Sequence, residues 1–313
     1  MKNTFSLNLF QKCFYYKCII VICLFLFPSI TATQVSAKKS IKVLLISGQN
    51  NHDWKRTHPF MKKALDAAKI FETDIVLTTT SEEVKNFSAP FDKYDVVLFD
   101  YNTTDNWPKT TQEAFEKYVK KGGGVVIIHA SNNSFPQWPA FNEMIGLGGW
   151  GDRNEKWGPY AYWENGKLKL DYSPGIGGSH GARCDIKVIN RNPQHPIMKG
   201  LPQVWLREHD ELYDQLRGPA KNMTILGTAY SVNSKREEPV IFTLTYGKGR
   251  IFHWVCGHLW EGDNDMRSLE SIDFITLLQR GTEWAATGKV KQKVPDNFPT
   301  EDKAQYSTTI KIE

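Results

Sequence analysis

The apolar pattern opens at IKVLLISGQ, Ile41 to Gln49, an almost uninterrupted run that breaks at a glycine. Such a run reads as a strand buried on both faces. From His58 to Lys69 the spacing turns helical, with Phe60, Ala64, Leu65 and Ala68 on one face. TDIVLTT and YDVVLFDY, the latter from Tyr94 to Tyr101, repeat the strand pattern. Pro108 is placed to open a helix whose inner face carries Phe115, Tyr118 and Val119. VVIIH then gives a fourth strand, ending on His129. Apolar runs alternating with amphipathic helices predict an α/β fold with a mainly parallel central sheet covered on both faces.

Beyond Ile145 the periodicity is lost. Gly146 to Ala182 is rich in glycine and aromatics and longer than an ordinary loop, which predicts a functional insert, either a lid or a dimer contact. Within it YWENGKLKL reads as a hairpin turning at Asn165-Gly166. Strands return at CDIKVI, MTILGTAY, PVIFTLTY and RIFHWVC. A closing helix is expected from Ser268 through Trp284 to near Gly288, followed by a polar tail over 289–313.

The first 37 residues have a different character. Lys2, Lys12 and Lys17 precede the ten-residue run CIIVICLFLF, and small residues follow up to Val35-Ser36-Ala37. That order predicts a secretory signal peptide cleaved after Ala37, and so a periplasmic or extracellular protein; a retained anchor is the alternative. The domain proper is then 38–288. Of 39 basic residues three lie in this leader, which has no acid, so the remainder carries 36 basic against 34 acidic residues. A net charge near +2 without a Lys/Arg block argues against nucleic acid as a partner, and no membrane contact is expected once the leader is gone. Outside the leader only Cys184 and Cys256 remain, with no zinc-ribbon spacing, and two buried free thiols are favoured over a disulfide.

In an open α/β sheet, ligands bind beyond the carboxyl ends of the strands. Those ends read GQNNHDW, DYNTTDNW, HASNN and CGHLWEGDND. Amides and carboxylates beside tryptophans suit a polyhydroxylated ligand, whose hydroxyls they bond and whose faces they stack. His129 and His258 form the expected central pair, either as acid and base or, with His180, as ligands of one divalent metal (Zn, Mn or Ni). In REHDELYDQL a solvated acidic turn competes with Asp210 or Glu211 facing the crevice, and Asp210 is the chosen catalytic candidate. Asn51, His52, Asp53 and Asn132 are expected to orient hydroxyls, His180 to touch substrate, and Trp150 and Trp260 to stack. His195 and His253 read as structural. No GxSxG elbow, HExxH or phosphate loop is present, which disfavours an ordinary serine hydrolase or a zincin.

Taken in order over residues 41 to 288, GQNNHDW, GGGVVIIHA, GGSHG, HPIMKGLP, DELYD, YGKGRIFH and GH resemble the trehalose-utilisation (ThuA-like) family of the class I glutamine amidotransferase-like superfamily. The resemblance implies a flavodoxin-like three-layer fold and a small-molecule carbohydrate ligand, a disaccharide or keto-glycoside, with a homo-oligomer left open. It also implies a lost activity. Amidotransferases place a nucleophilic cysteine where this chain has His129-Ala130-Ser131, so glutaminase chemistry is not expected, although His258 stands where their triad histidine would. An enzyme acting by histidine acid/base or metal-assisted chemistry and a non-catalytic sugar-binding protein both remain compatible with these residues.

Overall fold

Ile41–Gly48 forms β1, and the computed structural model, which describes residues 40–311, continues from it as a strand–helix alternation. In chain order there follow α1 (Trp54–Ala67), β2 (Phe71–Thr78), α2 (Ser81–Lys85), β3 (Val96–Asp100), α3 (Lys109–Lys120), β4 (Gly124–Ile128) and α4 (Pro139–Ile145). Then come β5 (Tyr160–Glu164), β6 (Lys167–Asp171), β7 (Ser179–His180), β8 (Cys184–Asn190), β9 (Val204–Asp210) and β10 (Tyr213–Asp214). The chain closes with β11 (Thr224–Ser231), β12 (Arg236–Tyr246), β13 (Gly249–Trp254), α5 (Arg267–Glu270) and α6 (Ile272–Thr287). The expected leader lies outside the described residues. Among the described residues no helix is long and apolar enough to cross a membrane.

The main sheet runs β2-β1-β3-β4-β13-β12-β11-β8-β9. Its first five strands are parallel to one another. From β13 to β9 every pairing is antiparallel. With β5 and β6 attached to β12 by further antiparallel pairs, the expected mainly parallel sheet is corrected to a mixed one of four parallel and six antiparallel pairings. The reason lies in the connections. A parallel neighbour needs a crossover long enough for a helix, whereas β12 and β13 are joined at Gly247-Lys248 and can only pair as a hairpin.

Side chains alternate across a strand, and β3 shows what each face meets. Phe99 packs on Phe115 of α3 and Phe141 of α4, while Asp100 accepts a hydrogen bond from Thr57 of α1 at 2.5 Å. Burial of this central strand is complete along its length. Phe91, Phe99, Trp107, Phe115, Phe135 and Trp138 form one aromatic cluster on the α3 side. Trp107 lies in the loop after β3 and Phe135 in the loop after β4, so this cluster anchors two loops that carry polar residues of the site.

Three further differences from the sequence reading have physical causes. The closing helix is broken at Ser271, whose extended backbone (φ −64°, ψ 140°) separates α5 from α6. The tail after α6 is ordered: Thr300 accepts the Leu206 N–H along β9, Gln305 accepts the Ile272 N–H, and Phe298 is buried against Trp205. The insert is also tied down. The wholly buried Arg153 donates to the carbonyls of Asn133, Ser134 and Gly149, which joins the insert to the turn after β4. Its hairpin turns at Asn165-Gly166 as the sequence predicts and meets β12 through Trp163 and Glu237.

Candidate active site

Strand β4 ends where the opening apolar pattern points, and His129 begins a 3-10 turn with a backbone φ of 45°. A non-glycine residue in the left-handed region is held there by its surroundings at a cost, and sharp strand-to-helix turns of this kind present a side chain above a sheet. Gly257, with φ 119°, makes the corresponding turn after β13 and aims His258 back at the same point. His52 comes from the loop after β1, and Glu211 from the short link between β9 and β10.

These four side chains converge. His129 Nε2 lies 3.2 Å from His52 Nε2 and 3.3 Å from His258 Nδ1. Glu211 Oε2 is 3.0 Å from His258 Nδ1 and 3.9 Å from His129 Nε2. All four ligand atoms fall within 4.8 Å of one another, and all four residues are buried.

The protonation of the cluster follows from its outer bonds. His129 Nδ1 faces the Val255 carbonyl at 2.7 Å and must donate there. His52 Nδ1 faces Asn50 Oδ1 at 3.1 Å, and that oxygen also receives the His52 backbone N–H, which fixes the amide orientation. Burial pushes the His129 imidazole down to about 4, with the neighbouring His258 adding to the effect, and holds His52 far below its usual value. Both rings are thus neutral, each with Nδ1–H already given away. Their Nε2 lone pairs therefore meet obliquely, the two nitrogens 3.2 Å apart with no hydrogen between them. Burial disfavours ionisation of Glu211, but the hydrogen bond to His258 and the adjacent imidazoles outweigh it and keep the carboxyl below its usual range.

Converging lone pairs beside a carboxylate suit a divalent cation. With bonds of about 2.0–2.1 Å, a tetrahedral site separates its ligand atoms by roughly 3.3 Å, close to the observed 3.2 and 3.3 Å. The other separations are wider, 3.9 Å between His129 and Glu211 and up to 4.8 Å across the set, so the four atoms do not form a regular tetrahedron. The Nδ1–H bonds to Val255 and Asn50 are contacts of the kind that would orient these two rings toward a metal.

A pocket of about 230 Å³ opens over the cluster, lined in part by Asn51, Asn102, Asn133, Trp150, His180 and Trp260. Trp260 stacks on His52, centroids 4.6 Å apart and planes 7° from parallel. Tyr213 is buried, stacks on His129 and brings its hydroxyl to 3.1 Å from His129 Nε2. His180 is half-exposed and reaches the outer oxygen of Glu211 at 3.2 Å.

The sequence-based candidates divide accordingly. His129, His258 and His52 meet at the cluster, and Asn51, Trp150, His180 and Trp260 line the pocket above it. His180 is corrected as a metal ligand: it contacts Glu211 rather than the point of convergence, where His52 and Glu211 complete the set. Asp210 is corrected as a catalytic group. It is fully buried behind the cluster, bound to Arg207 at 2.5 Å and to the backbone N–H groups of Gly257, His258 and Glu211. Asn132 is also buried, against His253 in the core, and Asp53 pairs with Arg56 at 2.6 Å, so neither lines the pocket. Tyr213 was not foreseen, although DELYD alternates across two adjoining short elements and so sends Glu211 and Tyr213 to the same side. Both cysteines are free as expected; Cys256 is buried but Cys184 is exposed.

Comparison with known proteins decides the family. The family model described as trehalose utilisation (ThuA) matches residues 42–285. The chain belongs to the ThuA family. A ThuA-like protein of Parabacteroides merdae has a crystal structure with a TM-score of 0.83 at 46% identity, covering 88% of this chain and 100% of that one. A ThuA-like protein of Bacteroides uniformis, at 22% identity and a TM-score of 0.52, covers 82% of this chain and 95% of that one and shares the fold. Among curated proteins none matches. Within this ThuA chain, the carbohydrate-related role suggested by the family description and the polar, tryptophan-flanked pocket agree.

Proposed function

We propose that the chain is an exported enzyme acting on a disaccharide or keto-glycoside, with His52, His129, His258 and Glu211 holding one divalent metal (Zn, Mn or Ni). The observation that carries this reading is the pair of converging Nε2 lone pairs on His52 and His129 beside the Glu211 carboxylate. Bound there, such an ion would act as a Lewis acid toward a carbonyl or hydroxyl of the sugar. The chain supplies the rest. Trp150 and Trp260 flank the ring, and Asn51, Asn102 and Asn133 bond its hydroxyls. Tyr213 is placed to give or take a proton beside His129, and His180 to do so at the pocket mouth. Export rests on the leader pattern of residues 1–37. The strand order 2-1-3-4 followed by β13 supports a flavodoxin-like core, with the three histidines beyond the carboxyl ends of β1, β4 and β13.

A binding-only protein is the second reading, favoured by the stacked Trp260 and the amide-lined rim. It gives no account of the converging lone pairs. A thiol amidotransferase is disfavoured on separate grounds: Cys256 is fully buried, and burial together with Asp210 pushes its thiol well above its usual value.

Elemental analysis of the purified protein beside a His129→Ala/His258→Ala variant tests the metal reading. About one equivalent of Zn, Mn or Ni in the parent and none in a folded variant is expected. No metal in either after reconstitution would sink it and leave the histidines as acid and base. Turnover of 3-keto-glycosides, assayed alongside ligand affinity, separates enzyme from binder.

A further inference from the structure

At the opposite end of the sheet from the cluster lies an open groove of about 780 Å³. Arg250 at the start of β13 binds the carbonyls of Trp284, Ala285 and Ala286, which sets the end of α6 beside the strand starts. The segment that follows, KVKQKV from Lys289 to Val294, alternates strictly in burial. Val290 and Val294 pack on the core, and Lys289, Lys291 and Lys293 stand exposed. In extended chain alternate residues share a face about 6.6 Å apart.

The groove is built rather than incidental. Arg280 is buried and donates to the carbonyls of Pro196, Ile197 and Lys199 on one wall and of Gln292 on the other. Glu283, also buried, accepts the backbone N–H groups of Lys291 and Gln292 and holds the lysine-bearing segment in place. Lys199 faces the three tail lysines across the groove. No acidic residue lines it, and among the described residues none of the four ammonium groups pairs with a carboxylate.

We propose that this groove is a second binding site, for a linear anionic polysaccharide. Four exposed cations without carboxylate partners along one groove fit a ligand with regularly repeated negative charge. The lining holds no aromatic ring, so it lacks the stacking platform used for single-stranded nucleic acid and the aromatic anchors of a peptide interface. The choice of a glycan among polyanions rests on the carbohydrate reading of the main site. Binding itself does not, because the groove shares no residue with the cluster pocket. A net charge near +2 outside the leader means that retention on a polyanion has to come from a local patch.

The test is affinity electrophoresis and calorimetry on polygalacturonate, with neutral dextran as control, over a salt series. The parent protein is expected to bind polygalacturonate, to ignore dextran and to weaken as salt rises. Lys289→Glu/Lys291→Glu/Lys293→Glu should lose at least about tenfold in affinity and most of the salt dependence. Lys42→Glu/Lys93→Glu/Lys109→Glu, the same charge change at exposed unpaired lysines elsewhere, should bind as the parent does. Equal loss in both triple variants, or no binding by the parent, overturns the proposal. Equally tight binding to single-stranded DNA overturns the glycan assignment. His129→Ala/His258→Ala should retain polygalacturonate binding, so failure of the metal reading and failure of this one are separately visible.

Discussion

Asp210 accepts the backbone N–H of His258 at 3.1 Å and that of Glu211 at 2.7 Å through the same oxygen, Oδ1. Two members of the cluster, 47 positions apart in sequence (258 − 211), are thereby held to one buried atom. Arg207 neutralises the other oxygen and also binds Asp273 of α6 at 2.9 Å, and Ser268 donates to the His258 carbonyl. Asp210 thus acts as a positioning residue.

Asp210→Asn keeps the size but not the charge. We expect metal affinity to fall about 10–100-fold, as for other outer-sphere changes, with the fold retained. Asp210→Ala leaves Arg207 paired with Asp273 but strips the buried N–H groups of Gly257 and His258 of their acceptor, and should cost about 1–3 kcal/mol. Competition with a chelator and urea unfolding separate the two effects.

Tyr213→Phe removes only the hydroxyl at 3.1 Å from His129 Nε2. If that hydroxyl moves a proton, turnover should drop about 10²–10⁴-fold with metal content and ligand affinity unchanged. A loss of metal instead would make Tyr213 part of the cluster's support.

Trp260 stacks on His52 with its outer face toward the pocket. Trp260→Ala should raise KM about tenfold while kcat stays within about threefold, and Trp260→Phe should recover most of the loss. Steady-state kinetics on the keto-glycoside that turns over give both numbers.

His253 donates to the Ile145 carbonyl and faces the Asn132 amide, and burial lowers its imidazole to about 3. The unfolded chain therefore takes up this proton first, near pH 6.5, and stability falls as pH drops from there toward 3. At about 1.4 kcal/mol per pH unit, roughly 2 kcal/mol should be lost between pH 7 and 5 through this residue. His253→Gln should remove that portion of the slope in metal-free protein, as read from urea midpoints at the two pH values.

Much of this was legible in the sequence wherever burial leaves a periodic mark. Strands β1, β3 and β4 are apolar throughout because both faces are covered, and the turn chemistry of Asn165-Gly166 fixes the insert hairpin. His129 and His258 could be found because they stop such runs. β9 was hidden, since its inward positions include Arg207 and Asp210, whose charges satisfy each other only in three dimensions. The same blindness put Asp210 forward as the catalytic candidate, where the structure brings Glu211 to the cluster. Along DELYD the two carboxylates are adjacent, and only the buried guanidinium behind them decides which one turns away from the pocket. Asn132 and Asp53 misled for a similar reason: each turns to another side chain, His253 in the core and Arg56 in α1, that its local sequence does not reveal.

The tail that lies along β9 has a consequence for the order of assembly. Leu206 and Ile272 give their N–H groups to Thr300 and Gln305, so the edge bearing Arg207 and Asp210 is closed by residues near the end of the chain. A nascent polypeptide holds all four cluster side chains from residue 258 onward, yet lacks the strap and α6 that fix two of them. The centre can therefore reach its final geometry only after synthesis has passed the tail, so the four side chains come together late.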